Sequence, residues 1–291
     1  MRLIIVSGLS GSGKSVALNM LEDLGYYCID NLPARLANNV VGQAVDSGDD
    51  RYQKIAIGID ARNRAEDLAQ VPVLLAELKD SEINSELIFI HADDGVLLNR
   101  YSETRRRHPL SDKLIGLREA IELEREILAP VTDAADLVLD TSRTSVHELR
   151  EIVRERVDPR EAGRLSLLFQ SFGFKHGIPG DADFVFDCRC LPNPYWEPPL
   201  RDSTGLDQDV IDFLESHDSV GRMIDDIDGL LKTWLPEFVR ENRNYLTVAL
   251  GCTGGQHRSV YVCENLARRF ADEYQHVLTR HNELSDIKNA S

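Results

Sequence analysis

Gly8-Leu9-Ser10-Gly11-Ser12-Gly13-Lys14-Ser15 follows the apolar run Leu3-Ile4-Ile5-Val6 and precedes Val16-Ala17-Leu18-Asn19-Met20-Leu21. The spacing is that of G-x-x-x-x-G-K-[ST], set between a strand and an amphipathic helix, which is the context a phosphate-binding loop requires. Each residue type has a physical reason. The glycines let backbone N–H groups curl around an anion at a helix start, Lys14 reaches the β and γ phosphates of a nucleotide, and the Ser15 hydroxyl can ligate Mg2+. Residues 8 to 15 therefore predict binding of a nucleoside triphosphate with Mg2+, against a competing reading as a purely structural glycine-rich turn.

The N-terminal half continues as alternating strand-like and helix-like segments, the pattern of βαβ units around a parallel sheet. Leu18, Leu21 and Leu24 keep one helix face apolar until Gly25. Further strands are expected at Tyr26-Tyr27-Cys28-Ile29, at residues 54–59, at Leu87-Ile88-Phe89-Ile90 and at Leu137-Val138-Leu139. Ser145 and Glu148 form a capping-box pattern opening a helix to about Val157. Ligands of open α/β sheets collect outside the carboxyl ends of strands, so Asp30 and Asp60, which each close a strand, are expected toward the phosphate loop. There they can hold Mg2+ through water or orient a second substrate, or else cap the turn that follows.

Arg100-Tyr101-Ser102-Glu103-Thr104-Arg105-Arg106-Arg107-His108-Pro109, ahead of a charged helix over residues 117–128, is the densest basic cluster in the chain. It reads as a kinase-type lid whose arginines close over phosphates, as a solvated helix face, or as an RNA contact.

A chain of 291 residues with 42% apolar content suits two domains, expected at 1–157 and 164–291, with Asp158-Pro159-Arg160-Glu161-Ala162-Gly163 breaking the helix between them. Five cysteines, an odd count, and an N-terminus without a signal-peptide pattern predict a cytoplasmic protein with reduced thiols. No apolar run reaches the roughly 18 to 20 residues of a membrane span. The net charge of −16 excludes a broad electrostatic grip on nucleic acid, so any such surface is local.

In the second half, Leu165-Ser166-Leu167-Leu168-Phe169 and Phe184-Val185-Phe186-Asp187 read as strands, and residues 220–241 as a long helix. The proline-rich Leu191-Pro192-Asn193-Pro194-Tyr195-Trp196-Glu197-Pro198 suits a pocket wall or packing within its own domain. Cys188 and Cys190 would share a face on a strand, with no second close pair to complete a metal site. Tyr245-Leu246-Thr247-Val248-Ala249-Leu250 leads into Gly251-Cys252-Thr253-Gly254-Gly255-Gln256-His257-Arg258-Ser259 and an apolar helix, so strand, small-residue loop and helix start recur as a second anion site. Three readings stay open for this loop: a phosphorylated ligand or phosphodiester held by Arg258, His257 and the loop amides; a C-x5-R phosphatase with Cys252 as nucleophile; or Cys252 as a buried apolar residue beside a structural turn.

These motifs, with Asp30-Asn31-Leu32-Pro33, Asp60-Ala61-Arg62-Asn63 and Ser171-Phe172-Gly173-Phe174-Lys175-His176-Gly177, resemble in their order the RapZ/YvcJ family of nucleotide-binding proteins, whose enteric members are RNase adapter proteins. The resemblance covers nearly the whole chain. It implies an α/β protein with an N-terminal P-loop kinase-like parallel-sheet domain and a C-terminal α/β domain reminiscent of a sugar-phosphate kinase half. It implies ATP at residues 8 to 15, GTP with Asp60, Ala61, Arg62 and Asn63 taking part, and weak hydrolysis of both involving Lys14 and Asp60. For the second domain it implies an amino-sugar phosphate and a small regulatory RNA, presented to an endoribonuclease by a homo-oligomer, with Lys175, His176, Cys252, Thr253, Gly254, Gly255, His257, Arg258 and Ser259 as contacts. The chain departs from the enteric pattern in three places. It ends Leu284-Ser285-Asp286-Ile287-Lys288-Asn289-Ala290-Ser291 instead of in a strongly basic tail, and it has Tyr195 for a histidine and Gln256 for a lysine. Beside the regulatory reading stand a P-loop small-molecule kinase with its acceptor near Asp30, and the cysteine phosphatase.

Overall fold

The computed structural model describes residues 1–81, 83–157, 165–241 and 243–284. The expected break at residues 158–163 and the tail from 285 onward lie outside the described residues. The chain divides into two compact units, Met1–Ala162 and Gly163–Ser291.

The first unit runs β1 (Arg2–Gly8), α1 (Lys14–Asp23), β2 (Tyr27–Ile29), α2 (Ala37–Ser47), β3 (Lys54–Gly58), α3 (Ala65–Leu68), α4 (Val71–Asp80), β4 (Asn84–His91), α5 (Asp94–Thr104), α6 (Leu117–Asp133), β5 (Leu137–Asp140) and α7 (Val146–Val157). Its five strands are all parallel, in the order β2-β3-β1-β4-β5, with β1 in the centre. Helices cover both faces of such a sheet, which is why Leu3 through Val6 form an unbroken apolar run that is fully buried. The capping box forms as the sequence indicates: Ser145 N–H donates to the Glu148 carboxylate at 2.8 Å, and Glu148 N–H donates to Ser145 Oγ at 3.2 Å. Helix α6 continues past the expected end at Leu128. Pro130 removes one amide donor, but buried Leu128 and Val131 hold the last turn against the core.

The second unit runs β6 (Ser166–Gly173), β7 (Phe184–Asp187), α8 (Gln208–Glu215), α9 (Asp218–Arg240), β8 (Tyr245–Cys252), α10 (Arg258–Phe270) and β9 (Val277–His281). Its sheet is also parallel, in the order β7-β8-β6-β9. Both units are thus α/β with parallel sheets. Strands β6 and β8 are buried along their whole length, whereas β9 is an edge strand with no fully buried residue.

Two features set stability in ways that can be measured. Gly8 has φ 147°, and a Cβ there would stand 2.1 Å from the Ile90 carbonyl oxygen of the neighbouring strand. Gly8→Ala is expected to destabilise the first unit by at least about 2 kcal/mol, read as a lower denaturant midpoint. In the second unit, His281 Nε2 lies 3.0 Å from Glu264 and Nδ1 lies 2.8 Å from Ser171 Oγ. Burial pushes the His281 pKa down despite that carboxylate, so the folded imidazole refuses a proton that the unfolded one accepts below about pH 6.5. Buried His257 has the same sign. Stability of the second unit is therefore expected to fall as pH drops below that value, with a shallower slope in His281→Gln; thermal unfolding across pH checks it, and an unchanged slope would place the proton uptake elsewhere.

Candidate functional site

The loop between β1 and α1 is shaped from outside by three side chains. Ser10 N–H donates to Glu124 at 2.8 Å, and the Ser10 hydroxyl lies 2.7 Å from the same carboxylate. Arg100 Nη1 donates to the Gly11 carbonyl at 3.1 Å, and Thr141 Oγ1 donates to the Ser12 carbonyl at 2.7 Å. Gly11 and Gly13 supply the positive φ that the turn needs, 89° and 117°. The loop ends where α1 begins, so the amides of Lys14 and Ser15 are among those a helix start leaves without an intrahelical acceptor.

Behind the loop, Lys14 Nζ lies 3.3 Å from the Gly8 carbonyl and 3.5 Å from Asp60 Oδ2. Asp60 follows β3, the direct neighbour of β1, and is 5% exposed. Arg62 Nη1 lies 3.4 Å from the same carboxylate oxygen, and Arg62 N–H donates to Asp60 Oδ1 at 3.0 Å. Two cations thus share one buried carboxylate, leaving a local positive excess at the carboxyl edge of the sheet. Asn63 ties this turn to the one after β2: its Oδ1 accepts from Ala34 N–H at 2.7 Å and its Nδ2 donates to the Asp60 carbonyl at 3.0 Å. Ala61 is buried in the core. Asp30 is exposed, and its Oδ1 packs 2.6 Å from where a Gly58 side chain would begin.

The basic segment splits into two parts with different environments. Arg100 belongs to α5 and is half-buried. Beyond Gly11, its guanidinium donates to Thr141 Oγ1 at 3.1 Å and to the Thr141 carbonyl at 2.6 Å, so it braces the loop from outside. Burial lowers its pKa. Arg105, Arg106 and Arg107 are exposed, and Arg105 leaves the helix at φ 51°. The next residue, His108, is fully buried, with Nε2 3.1 Å from Glu124 Oε2. Its Nδ1 accepts from Leu110 N–H at 3.2 Å, so Nε2 carries the proton and donates to the carboxylate. The Tyr101 ring lies 5.3 Å from the His108 ring. Burial pushes the Tyr101 pKa up to about 12, opposed by the neighbouring Ser10 side chain. Sequence reading missed Glu124. The available signal was its spacing of four from Ala120 and Leu128, which puts it on the buried stripe of α6.

In the second unit, register brings the sequence motifs together: Gly173 at the end of β6 is opposite Cys252, and Asp187 at the end of β7 is opposite Gly251. A Cβ on Gly173 would stand 2.8 Å from the Gly254 carbonyl carbon, so the two backbones touch. Exposed Lys175 and His176 follow in a single turn of 3-10 helix, and Lys175 N–H donates to the Thr253 carbonyl at 3.3 Å. Cys252 is buried, and its Sγ accepts from Gly255 N–H and from the Ser259 hydroxyl, each at 3.2 Å. Arg258, the first residue of α10, is 4% exposed. It donates to the carbonyls of Arg189 and Leu191 at 3.0 and 3.1 Å and lies 3.4 Å from Thr253 Oγ1, while its buried Nε has no partner. No carboxylate is in ion-pair contact with it among the described residues. The nearby Asp187 carboxylate is engaged by Arg189, whose hydrogen bonds hold its pKa below the ordinary range, with the Arg258 charge adding to the effect. A nearly buried guanidinium held only by neutral groups suits an anionic ligand.

His257 is turned away from the loop mouth: Nε2 donates to the Leu200 carbonyl at 3.2 Å, and burial lowers its pKa. In the proline-rich loop, Tyr195 and Trp196 are exposed and meet edge to face at 5.7 Å. Cys188 and Cys190 lie on one 3-10 turn, not on a strand, with the first buried and the second exposed, so they do not share a face. No helix among the described residues is long and apolar enough to cross a membrane.

Comparison with known proteins places this geometry. Residues 1–160 match the RapZ-like N-terminal domain, and residues 165–285 match the RapZ C-terminal domain. The chain is 53% identical over 289 residues to a protein of Marinobacter nauticus named "Nucleotide-binding protein", covering 99% of this chain and 98% of that one. It is 56% identical over 287 residues to a protein of the same name from Alkalilimnicola ehrlichii, covering 98% of each. Among solved structures it is similar to a shikimate kinase from Bacteroides thetaiotaomicron, at 14% identity and a TM-score of 0.35, over 53% of this chain and 94% of that one. On both domain matches and on full-length relatives above half identity, the chain belongs to the RapZ family.

Proposed function

We propose that this chain is a nucleotide-binding regulatory protein that takes ATP and GTP with Mg2+ at residues 8 to 15, turns them over slowly, and reads a phosphorylated ligand at the Cys252–Ser259 loop. The observation that carries the first part is the placement of Lys14 and Arg62 around Asp60 behind a loop whose outward peptide groups are already satisfied. A buried Ser12 hydroxyl without a protein partner fits an oxygen-rich ligand at the same loop. Ser15 and, through water, Asp60 would hold the Mg2+, whose hard-cation preference suits hydroxyl, carboxylate and phosphate oxygens. That ion supplies charge neutralisation to the phosphates. Lys14 is shared with Asp60 until a phosphate competes for it, and Arg62 keeps the carboxylate compensated when it does. The name borne by the relatives supports this reading.

The second part rests on Arg258. The family resemblance extends it to an amino-sugar phosphate and to a small regulatory RNA presented to an endoribonuclease by a homo-oligomer in the cytoplasm. Lys175 and Arg258 supply the local positive charge such ligands require, with His176 exposed beside Lys175.

Lys14→Ala is expected to weaken ATP and GTP binding by about tenfold to a hundredfold, the range of a lost charge-assisted contact, with little change in melting temperature. Isothermal titration checks this, and unchanged affinity would overturn the assignment. Arg258→Ala is expected to weaken binding of a hexosamine phosphate by at least about tenfold. The unphosphorylated hexosamine is the control. Equal binding of the two sugars by the unmodified protein would show that phosphate is not what the loop reads.

A further inference from the structure

The exposed arginines at 105 to 107 are rooted at both ends on the phosphate loop. On the far side, His108 donates to Glu124 Oε2, the oxygen that also accepts Ser10 N–H. On the near side, Tyr101, one helical turn before Arg105, packs its ring against His108 and against Gly11, where an added Cβ would stand 3.3 Å from the ring. Ser10, Glu124 and His108 are at most 9% exposed, so the connection is a packed one with little room to slip. A displacement of Ser10 must therefore move or break the anchor of the arginine segment, and the converse.

Nothing comparable holds the arginine side chains themselves. Arg105 and Arg106 make no ion pair among the described residues, and Arg107 acts on Asp112 only through its field. They are free cations on a fixed base.

We propose that Glu124 and His108 are positioning residues for nucleotide turnover, coupling the shape of the phosphate loop at Ser10 to the placement of the Arg105–Arg107 segment over the bound phosphates. The inference rests on the nucleotide-binding reading of residues 8 to 15 and goes beyond it by assigning a role to residues that touch neither phosphate nor Mg2+. Arginines that approach a transferring or hydrolysing phosphoryl group stabilise charge that develops there, so their misplacement is felt in kcat more than in binding. Glu124 acts through other groups and is not a catalytic residue.

The test uses the full chain and Mg2+ with ATP or GTP. Variants are Glu124→Gln, which keeps the size and acceptor of the side chain, His108→Leu, which leaves the Ser10–Glu124 contact in place, and a triple alanine replacement of Arg105, Arg106 and Arg107. Each is expected to lower kcat about tenfold while the nucleotide dissociation constant moves by less than about threefold. Joining His108→Leu to the triple replacement is expected to slow turnover no further, because both remove one function. Trypsin supplies a second readout: Mg2+-ATP should protect the arginine segment in the unmodified protein and fail to do so in His108→Leu. Multiplying effects in the combined variant, a loss of affinity with kcat intact, or protection that survives in His108→Leu would each overturn the coupling. If the unmodified protein bound neither nucleotide, the reading of residues 8 to 15 would fall together with it. Binding that Lys14→Ala abolishes, with turnover indifferent to these variants, would remove the coupling alone.

Discussion

A loop that turns N–H groups inward toward an anion must turn other peptide groups outward into the protein, and each of those, once buried, needs a partner. The first unit meets this constraint with side chains. Glu124 takes Ser10 N–H, Arg100 takes the Gly11 carbonyl and Thr141 takes the Ser12 carbonyl, from positions 114, 89 and 129 residues along the chain. The loop cannot acquire this shape from its own sequence. It needs β4 paired beside β1 and β5 beside β4, so that α5, α6 and the end of β5 arrive around it. Local motif and global topology are one requirement here, and a fold that placed β5 on the other edge would leave the Ser12 carbonyl to find another donor.

The second unit solves a similar problem by close packing at glycines. Gly173 lies against Gly254, Gly251 lies under the Phe172 and Phe174 rings, and a Cβ on Gly205 would stand 2.2 Å from the His257 carbonyl oxygen. Gly205 N–H also donates to the Gln256 carbonyl at 2.8 Å. A loop packed this closely at its glycines has few softer coordinates through which to respond, whereas one held by Glu124, Arg100 and Thr141 can change as those side chains change partners. The two loops therefore differ in how they are held: side chains from distant positions shape the first, and close packing at glycines shapes the second.

What could be read in the sequence follows from the same physics. Strands β1, β6 and β8 are buried along almost their whole length and so carry apolar runs, at residues 3–6, 167–169 and 248–250, while Ser145 and Glu148 mark a helix start because their partners are three residues apart. Strand β9 escaped notice because Val277-Leu278-Thr279-Arg280-His281 is an edge strand and carries no such run. Helix α8 is only eight residues long and sits close to a proline-rich loop, which left too short a window for its period to show. Glu124 was hidden in a helix read as charged throughout, since charge at a position says nothing of burial until the stripe Ala120, Glu124, Leu128 is drawn. The direction of Arg100 was equally hidden: its partners are main-chain carbonyls of Gly11 and Thr141, and carbonyls leave no mark in a sequence.

Both loops concentrate positive charge in a chain whose net charge is −16, and the contrast selects among ligands. Surface charge is screened over about 10 Å at ordinary ionic strength, while a guanidinium as buried as Arg258 acts at close range and is weakly screened. An acidic exterior opposes a ligand in proportion to the ligand's charge and to how much of it runs along the surface. A nucleotide neutralised by Mg2+, or a single phosphomonoester, presents little charge outside the loop that binds it. A long polyanion presents charge everywhere, and each phosphate beyond the reach of Lys175 meets an unfavourable field. On charge alone, a small phosphorylated ligand meets less opposition at either loop than a long polyanion does.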